Sequence, residues 1–550
     1  MSEATLFVRK ASGLVRSWSA FDAFIYATFS INLITLGLFI FSYCWYFGGD
    51  LGTAVVVGGV FTIFEVILYA SLISAMPRAG GDYVWQSRIL GRGLGFILTV
   101  TGWWFILWLW VPLYGQMLAY EVLTPITAIL GFPQAAVWFT TYPWGPLTSM
   151  LLVCLLVFVY IAVGMRWYAR VQKFSFYVGM VGLLTVFALL LFNDKASFIQ
   201  GLNANLPALY GVPQGDYYTA TLEAGQAAGV TFGQFGSIAF GASFALIPML
   251  VFFNLWPNWG STLYGEVRGA SDYKRNFWGM AAAVIVTAAL ALVFFALISK
   301  TMGWDFFMNA NGAFWSHIFY GTEVAIPVWP YPVQFATFLT TSRALQFLVV
   351  LAVSFWWFGW SGTVFLSSTR VIFAAAFDRL LPEKVAEVEP RTRTPIVALL
   401  MMVVPSLLIS ALFAWNVFNF QSLTLCSTLV IAVTYLGSTI AAILLPFVKK
   451  DLYNASPIAK YKVFGIPLIT IAGVIFGGFL VFLLYEWILD PNALYGIGLS
   501  INPAGLKNWS SIIYMLAMYV LALVIYVGFK WYRKREGIDI DKIYEEIPVE

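Results

Sequence analysis

Charge, histidine and cysteine are all scarce in this chain of 550 residues, and each scarcity closes off a class of function. Charged residues make up 10% of it, where a soluble domain carries about 25%. There is one histidine, His317, and it lies in a loop. A Ser-His-Asp enzyme needs that residue beside its nucleophile, and a His-ligated metal centre needs several, so neither fits. The three cysteines, Cys44, Cys154 and Cys426, fall in separate apolar stretches. They show neither metal-ligand spacing nor a disulfide framework. Residues 1–20 contain Arg9, Lys10 and Arg16 and no apolar core, so no cleaved leader is expected. The net charge of +4 does not point to nucleic acid, because no basic face stands on a folded soluble domain.

What the chain has instead is apolar length. Hydrophobic residues reach 61% and the mean hydropathy is +0.83. Runs of about 20 apolar residues recur from end to end, which is the length that crosses a bilayer. With 23 Trp, 28 Tyr and 49 Phe, aromatics can serve both interfacial belts and interior packing. Twelve spans are read, over 22–46, 51–75, 94–123, 145–163, 173–192, 236–264, 277–299, 345–369, 396–414, 421–447, 465–487 and 510–530. That count sorts the 30 Lys and Arg sharply. On the side of the N-terminus there are three before Phe21 and three in each of the loops 76–93, 164–173 and 266–276. Five more lie in 370–395, four in 446–464 and five from Lys530 onward, 26 in all. The other side holds Lys195, Lys300, Arg343 and Lys507. Basic residues stay on the cytoplasmic face, so both termini are expected there, in a multi-pass protein of the cell membrane. The loops 193–235 and 300–344 are then external and long enough for surface helices or a lid. The tail 531–550 is too short for a soluble domain.

Two spans read as broken. Helix 1 carries Ser30-Ile31-Asn32 and Thr35-Leu36-Gly37 at its middle, where a lipid-facing helix would carry aliphatics. Helix 6 contains Pro248 and then Asn254-Leu255-Trp256-Pro257-Asn258-Trp259-Gly260. Proline removes a backbone donor and clashes with the preceding turn. Interrupted backbone at membrane depth is tolerated where it faces protein or a watery cavity. Helices 1 and 6 run in opposite directions and occupy matching places in two five-helix halves. Interrupted helices so placed point to a midplane binding site. The alternative is that both are packing kinks.

The loop after helix 2 reads Pro77-Arg78-Ala79-Gly80-Gly81-Asp82-Tyr83. It resembles the Pro-x-x-Gly-Gly-x-Tyr signature of the amino acid–polyamine–organocation permease superfamily. Tyr264-Gly265-Glu266-Val267-Arg268-Gly269, at the end of helix 6, is similar to that family's Glu-Glu-Val-Lys-Asn-Pro segment. Ser367-Ser368-Thr369-Arg370-Val371-Ile372, then Asp378-Arg379-Leu380-Leu381-Pro382 and Arg393-Thr394-Pro395, resembles its Ser-Arg-Val … Asp-Gly-Leu-Pro … Thr-Pro pattern. The resemblance implies an all-α, LeuT-like 5+5 inverted repeat. The first repeat is 22–192 after a cytoplasmic 1–21, and the second is 236–447. Two extra helices follow over 448–530. It also implies alternating access, no cofactor, and a substrate amino acid held between the unwound parts of helices 1 and 6. Carried over residue by residue, the substrate residues are Ser30, Asn32, Thr35 and Gly37 in helix 1, and Phe252, Asn254, Trp256 and Asn258 in helix 6. The sequence departs from the family in keeping a single helix 1 glycine, Gly37, and in placing Leu255-Trp256-Pro257 at the helix 6 step. Gly179 and Trp360 occupy the positions where proton-coupled members carry a lysine and a serine. The coupling ion stays open between H⁺ and Na⁺.

Further residues bear on mechanism. Glu65 is an acid in the middle of helix 2, where a charge costs at least about 2.5–3.5 kcal/mol. It reads either as a proton-coupling acid or as a packing residue. Ser361, Thr363 and Ser367 can offer oxygens to Na⁺. Of Trp103, Trp104, Trp108 and Trp110 in helix 3, most must pack or meet lipid, and any one can gate the site. Glu266 with Arg268, and Asp378 with Arg379, read as inner-gate pairs or as solvated interfacial pairs. Gly91-Arg92-Gly93-Leu94-Gly95 opens a membrane helix and follows no strand, so it is no nucleotide loop. Asn508-Trp509-Ser510 is a formal glycosylation acceptor. No charged side chain is read at the two breaks, which favours a neutral amino acid. Another small nitrogenous solute, such as a polyamine or nucleobase, is the alternative substrate, and a sensor that binds without transporting is the alternative role. An intramembrane enzyme would need clustered His, Asp or Glu, and a channel would need a repeated filter loop. Oligomeric state is not legible.

Overall fold

The computed structural model describes residues 14, 16–45, 48–489 and 509–544. Arg9, Lys10, Lys507, the acceptor Asn508 and the last six residues of the tail lie outside them. Among the described residues eleven helices are long and apolar enough to cross a membrane. They are helix 1 (Ala20–Phe41), helix 2 (Leu51–Ala75), helix 3 (Arg92–Ile129), helix 4 (Trp144–Ala162) and helix 5 (Met165–Phe192). After an interrupted segment come helix 7 (Tyr273–Thr301), helix 8 (Arg343–Phe377), helix 9 (Ile396–Ala414), helix 10 (Ser427–Val448), helix 11 (Leu468–Leu489) and helix 12 (Trp509–Arg535). The one expected span missing from this series is the sixth. It is divided into Phe240–Phe244, Ile247–Asn254 and Pro257–Glu266, here called helix 6. The only strands among the described residues are Lys462–Val463 and Ile466–Pro467, paired antiparallel before helix 11.

Helix starts follow local chemistry. Ser19 and Asp22 close a capping box on helix 1, with the Ser19 backbone N–H 2.7 Å from the Asp22 carboxylate. Asp50 accepts from the Gly52 and Thr53 backbone at the start of helix 2, and Asp272 and Ser342 do the same for helices 7 and 8. Each such cap satisfies donors that have no partner within the helix. Helix 3 is longer than its apolar run suggested. It threads two π turns (Thr101–Phe105 and Ala119–Leu123) and a 3₁₀ turn (Ile106–Leu109), which keep the chain helical while re-aiming its side chains.

Burial separates core from rim. Over its most apolar stretch helix 1 is 94% buried, and helix 12 is 11% buried. Helix 1 is therefore the axis of the molecule. Helix 12 turns Ile513, Leu516, Val520, Val524 and Val527 outward, an apolar surface that suits hydrocarbon. The loops 193–235 and 300–344 form a cap of short helices: Lys195–Tyr210, Tyr217–Ala227, Trp304–Tyr320 and Pro332–Thr337. Phe198, Tyr218 and Phe306 pack at its centre, with the last two stacked at 4.8 Å. Both described chain ends lie on the opposite face. Trp18 pairs with the backbone of Glu266 and Arg268, and Tyr544 reaches Tyr83.

Candidate functional site at two broken helices

Helix 1 breaks at Asn32, which adopts a left-handed conformation (φ 47°, ψ 89°). Asparagine is one of the few non-glycine residues that tolerate it, so the break needs no proline. The side chain then fixes the break. Nδ2 donates to the Trp356 carbonyl of helix 8 at 3.0 Å, and Oδ1 accepts from the Thr35 N–H at 2.9 Å. A π turn over Leu33–Gly37 restarts the helix. Helix 6 breaks at Leu255 and Trp256, between an α-helical half and the 3₁₀ half Pro257–Glu266. The breaks meet at Gly37, where an added Cβ would stand 3.0 Å from the Phe253 ring.

The expected residues divide between these breaks and their surroundings. Thr35 is fully buried and its hydroxyl has no hydrogen-bond partner. Ser30 is held within its own helix, 2.8 Å from the Tyr26 carbonyl. Asn254 has no partner for either side-chain atom and lies against Gly58 of helix 2. Asn258 accepts from the Tyr435 hydroxyl of helix 10 at 3.0 Å, while its Nδ2 is unpartnered. Trp256 packs edge-on to Trp110 and Trp259, at 5.3 and 5.5 Å. Phe252 turns away to Trp487 of helix 11, and its neighbour Phe253 is the ring that faces helix 1. Of the helix 3 tryptophans, Trp103 and Trp110 reach Trp259, while Trp104 bonds the Met401 carbonyl of helix 9. Trp108 packs on Trp104 and Phe105.

Helix 8 supplies a second polar knot. The Tyr26 hydroxyl lies 2.8 Å from the Thr363 carbonyl and 2.7 Å from Ser367 Oγ. Ser367 Oγ in turn lies 2.9 Å from the Trp259 carbonyl. Thr363 Oγ1 is shared with Tyr114 at 3.2 Å. Ser361 stays apart, on the Phe358 carbonyl of its own helix. Gly179 is occupied differently from the family's lysine position: Trp356 donates to its carbonyl at 3.0 Å and covers the place of a side chain.

Two acids surround the breaks. Glu65 is fully buried, neither oxygen has a partner, and it faces Tyr69, Tyr435 and Asp82. The other is Glu121 of helix 3, beside Thr35. The sequence reading that no charged side chain lies at the breaks is therefore corrected. An acid inside an apolar run drew attention to Glu65, and the same signal was present in Tyr120-Glu121-Val122. The helix 3 π turn that aims Glu121 at helix 1 was not legible.

The face that holds the termini is closed by buried charge. Glu266 pairs with Arg370 of helix 8, not with Arg268, at 2.5 Å (Nε–Oε1) and 3.3 Å (Nη2–Oε2), and both side chains are buried. Asp378 pairs with Arg88, at 2.6 and 2.9 Å, and not with Arg379. Proximity in sequence suggested the wrong cations, because the helix ends of different spans converge here. The Gly80-Gly81-Asp82 turn locks this face. The Gly80 N–H donates to the Thr262 carbonyl at 2.9 Å, and Gly81, at φ 40°, lies so close to Ser261 that a side chain would collide with backbone. Asp82 accepts from Tyr69 (2.7 Å), Ser438 (2.6 Å) and Ser261 (3.1 Å). Burial pushes its carboxyl above the ordinary aspartate value, against the pull of those donors.

These junctions are where the three sequence stretches converge, and a model of amino acid permeases matches residues 19–524. The chain belongs to the amino acid permease family. That family is part of the amino acid–polyamine–organocation superfamily. No curated protein matches the chain. As a permease it is a multi-pass membrane protein of transporter kind. In this permease the signature loop after helix 2 packs against the lower half of helix 6. It ties the lower half of helix 6 to helices 2 and 10 through Asp82, which accepts from Ser261, Tyr69 and Ser438, and through the Gly80–Thr262 backbone bond.

Proposed function

We propose that this permease carries an amino acid across the cell membrane by alternating access, with both termini cytoplasmic. The observation that carries the reading is the meeting of two helix breaks at Gly37 and Phe253. Around it stand the unpartnered polar atoms of Thr35, Asn254 and Asn258. Buried polar groups are normally satisfied, so a cluster left unsatisfied at a break suits a ligand. The substrate lies between the LeuT-like halves, with its charged ends on the free backbone of the breaks.

Both faces are sealed by contacts that can separate. On the terminal face these are Glu266–Arg370, Arg88–Asp378 and the strap at Trp18. On the other face Trp315 of the cap stacks on Tyr43 at 4.1 Å and donates to Ser42 at 2.9 Å. Opening one side costs one set of contacts and leaves the other intact, as alternating access requires. The 26 basic residues on the terminal side support its cytoplasmic placement. Glu65 is the residue available for proton coupling, and Thr363 and Ser367 are those available to Na⁺.

Purified protein in liposomes tests this. Labelled amino acids are offered with a proton gradient, a sodium gradient or neither. Uptake above equilibrium with one gradient establishes coupling and names the ion. Asn254→Leu and Asn258→Leu are expected to lower substrate affinity at least about tenfold while the protein stays folded. Undiminished affinity in both variants overturns the site. Glu65→Gln that still concentrates substrate under a pH gradient removes Glu65 from the coupling.

A further inference from the structure

Glu121 is the buried acid that the preceding reading leaves unused. It lies in the π turn Ala119–Leu123 of helix 3, is 2% exposed, and its Oε1 has no hydrogen-bond partner. The polar group beside it is the Thr35 side chain at the helix 1 break. Tyr331 of the cap lies near enough to feel its charge.

No described cation of the protein answers this carboxylate. On the cap side Lys195 faces Asp305, and Lys300 donates to the carbonyls of Leu190, Leu191 and Asn193. Arg343 is taken by Asn205 and Gln346. A buried carboxylate without counter-charge is costly, and the cost is met when a cation with N–H donors arrives. The walls suit a cation as well. Tyr120 packs against Trp329 and Phe314, each at 6.1 Å, and Trp329 stacks on Tyr331 at 5.4 Å. Aromatic faces attract ammonium groups. Unspent donors stand at the other break, where the indole N–H groups of Trp103, Trp110 and Trp259 have no partner. Acceptors beside the helix 1 break, from helices 1 and 3, and donors beside the helix 6 break, from helices 3 and 6, match the two ends of an amino acid.

We infer that the Glu121 carboxylate, with the Thr35 hydroxyl, receives the ammonium group of the substrate, so that a primary amine lacking the carboxylate is also a ligand. This rests on the helix 1 break being the substrate site. It replaces the argument for a neutral substrate, whose premise was an uncharged site. Recognition of the ammonium by a side chain makes the amine indispensable and the carboxylate dispensable.

The experiment uses the full chain. Thermal stabilisation in detergent and competition for uptake in liposomes are measured with two sets of probes. One set is leucine, isopentylamine, 4-methylpentanoate and N-acetylleucine. The other is phenylalanine, phenethylamine, 3-phenylpropionate and N-acetylphenylalanine. In one set or the other, the amine is expected to bind within about tenfold of its amino acid, and the deaminated and acetylated forms to fail. Glu121→Gln should weaken amine and amino acid by about tenfold or more, and Thr35→Val by about threefold. Glu121→Asp, which keeps the charge, should fall between wild type and Glu121→Gln.

Unchanged affinity in folded Glu121→Gln overturns the inference, as does tight binding of a deaminated acid. If Glu121→Gln does not fold, Thr35→Val and Glu121→Asp carry the same test. Stabilisation by amines that depends on Glu121, without uptake of anything, sinks the transport reading and keeps the site. Uptake that ignores Glu121 sinks the site and keeps transport. Absence of both binding and uptake for every probe sinks both.

Discussion

At Gly37 the distance between the two helix breaks is set by a missing side chain. A Cβ there would meet the Phe253 ring at 3.0 Å and the Asn32 carbonyl at 3.3 Å. Alanine asks the ring to shift by a few tenths of an ångström, whereas valine has no room. Gly37→Val is expected to destabilise the folded protein by about 1–3 kcal/mol and to abolish high-affinity binding. Adding Phe253→Ala should restore much of the thermal stability, since the two groups compete for one space. A double variant no more stable than Gly37→Val would show that the strain lies elsewhere. Asn32 works by the complementary device. It supplies a left-handed residue and two hydrogen bonds from one side chain, which is why helix 1 breaks without the glycines its relatives use there.

The element that joins the site to the terminal face is the 3₁₀ half of helix 6. Its start carries Asn258 beside the break, and its end carries Glu266 in the buried pair with Arg370. One short segment thus carries a proposed substrate residue at one end and a buried ion pair at the other. Arg370→Met leaves the Glu266 carboxylate buried without its cation and is expected to cost about 3–5 kcal/mol, read as a fall in thermal midpoint. The pair Arg370→Met with Glu266→Gln should recover much of that loss. Between the ends sits Asp82, bonded to Ser261. Its carboxyl titrates above the ordinary aspartate value of 3.8 because burial disfavours its charge. For a group raised in this sense, stability is fully present below the ordinary value and is lost as pH rises through the folded value. The terminal face should therefore be firmer in mild acid than near neutrality. Melting measured from about pH 4 to 7 should show that slope in wild type and lose it in Asp82→Asn. The same slope in both would place the titration elsewhere.

Across the whole molecule, apolar length located eleven of the twelve expected spans among the described residues, and the sixth is the interrupted segment 240–266. Helix 6 was legible because Pro248 and Pro257 forbid continuity, and helix 1 because Asn32 and Gly37 sit where aliphatics belong. The partners were not legible. Glu266 and Asp378 find Arg370 and Arg88, which the spans carry together from distant parts of the chain, and Glu121 is aimed by a π turn that leaves no mark in composition. Phe252 and Phe253 differ by one helical step, a difference that motif spacing does not resolve. The tail adds a closure that spacing could not announce. Tyr544 lies 2.8 Å from the Tyr83 hydroxyl, and the Arg88 guanidinium sits 4.7 Å above its ring. Tyr544→Ala is expected to leave the helices intact and to speed amide hydrogen exchange over 82–89. Unchanged exchange there would make the tail a passive neighbour. A purification handle or fluorescent protein joined directly before Trp18 or directly after Tyr544 would bear on the contacts of the terminal face. Trp18 is stitched to helix 6 and Tyr544 to the loop after helix 2, so a bulky fusion pulls on the seal itself. Transport rates from tagged material belong beside rates from protein whose tag has been cleaved.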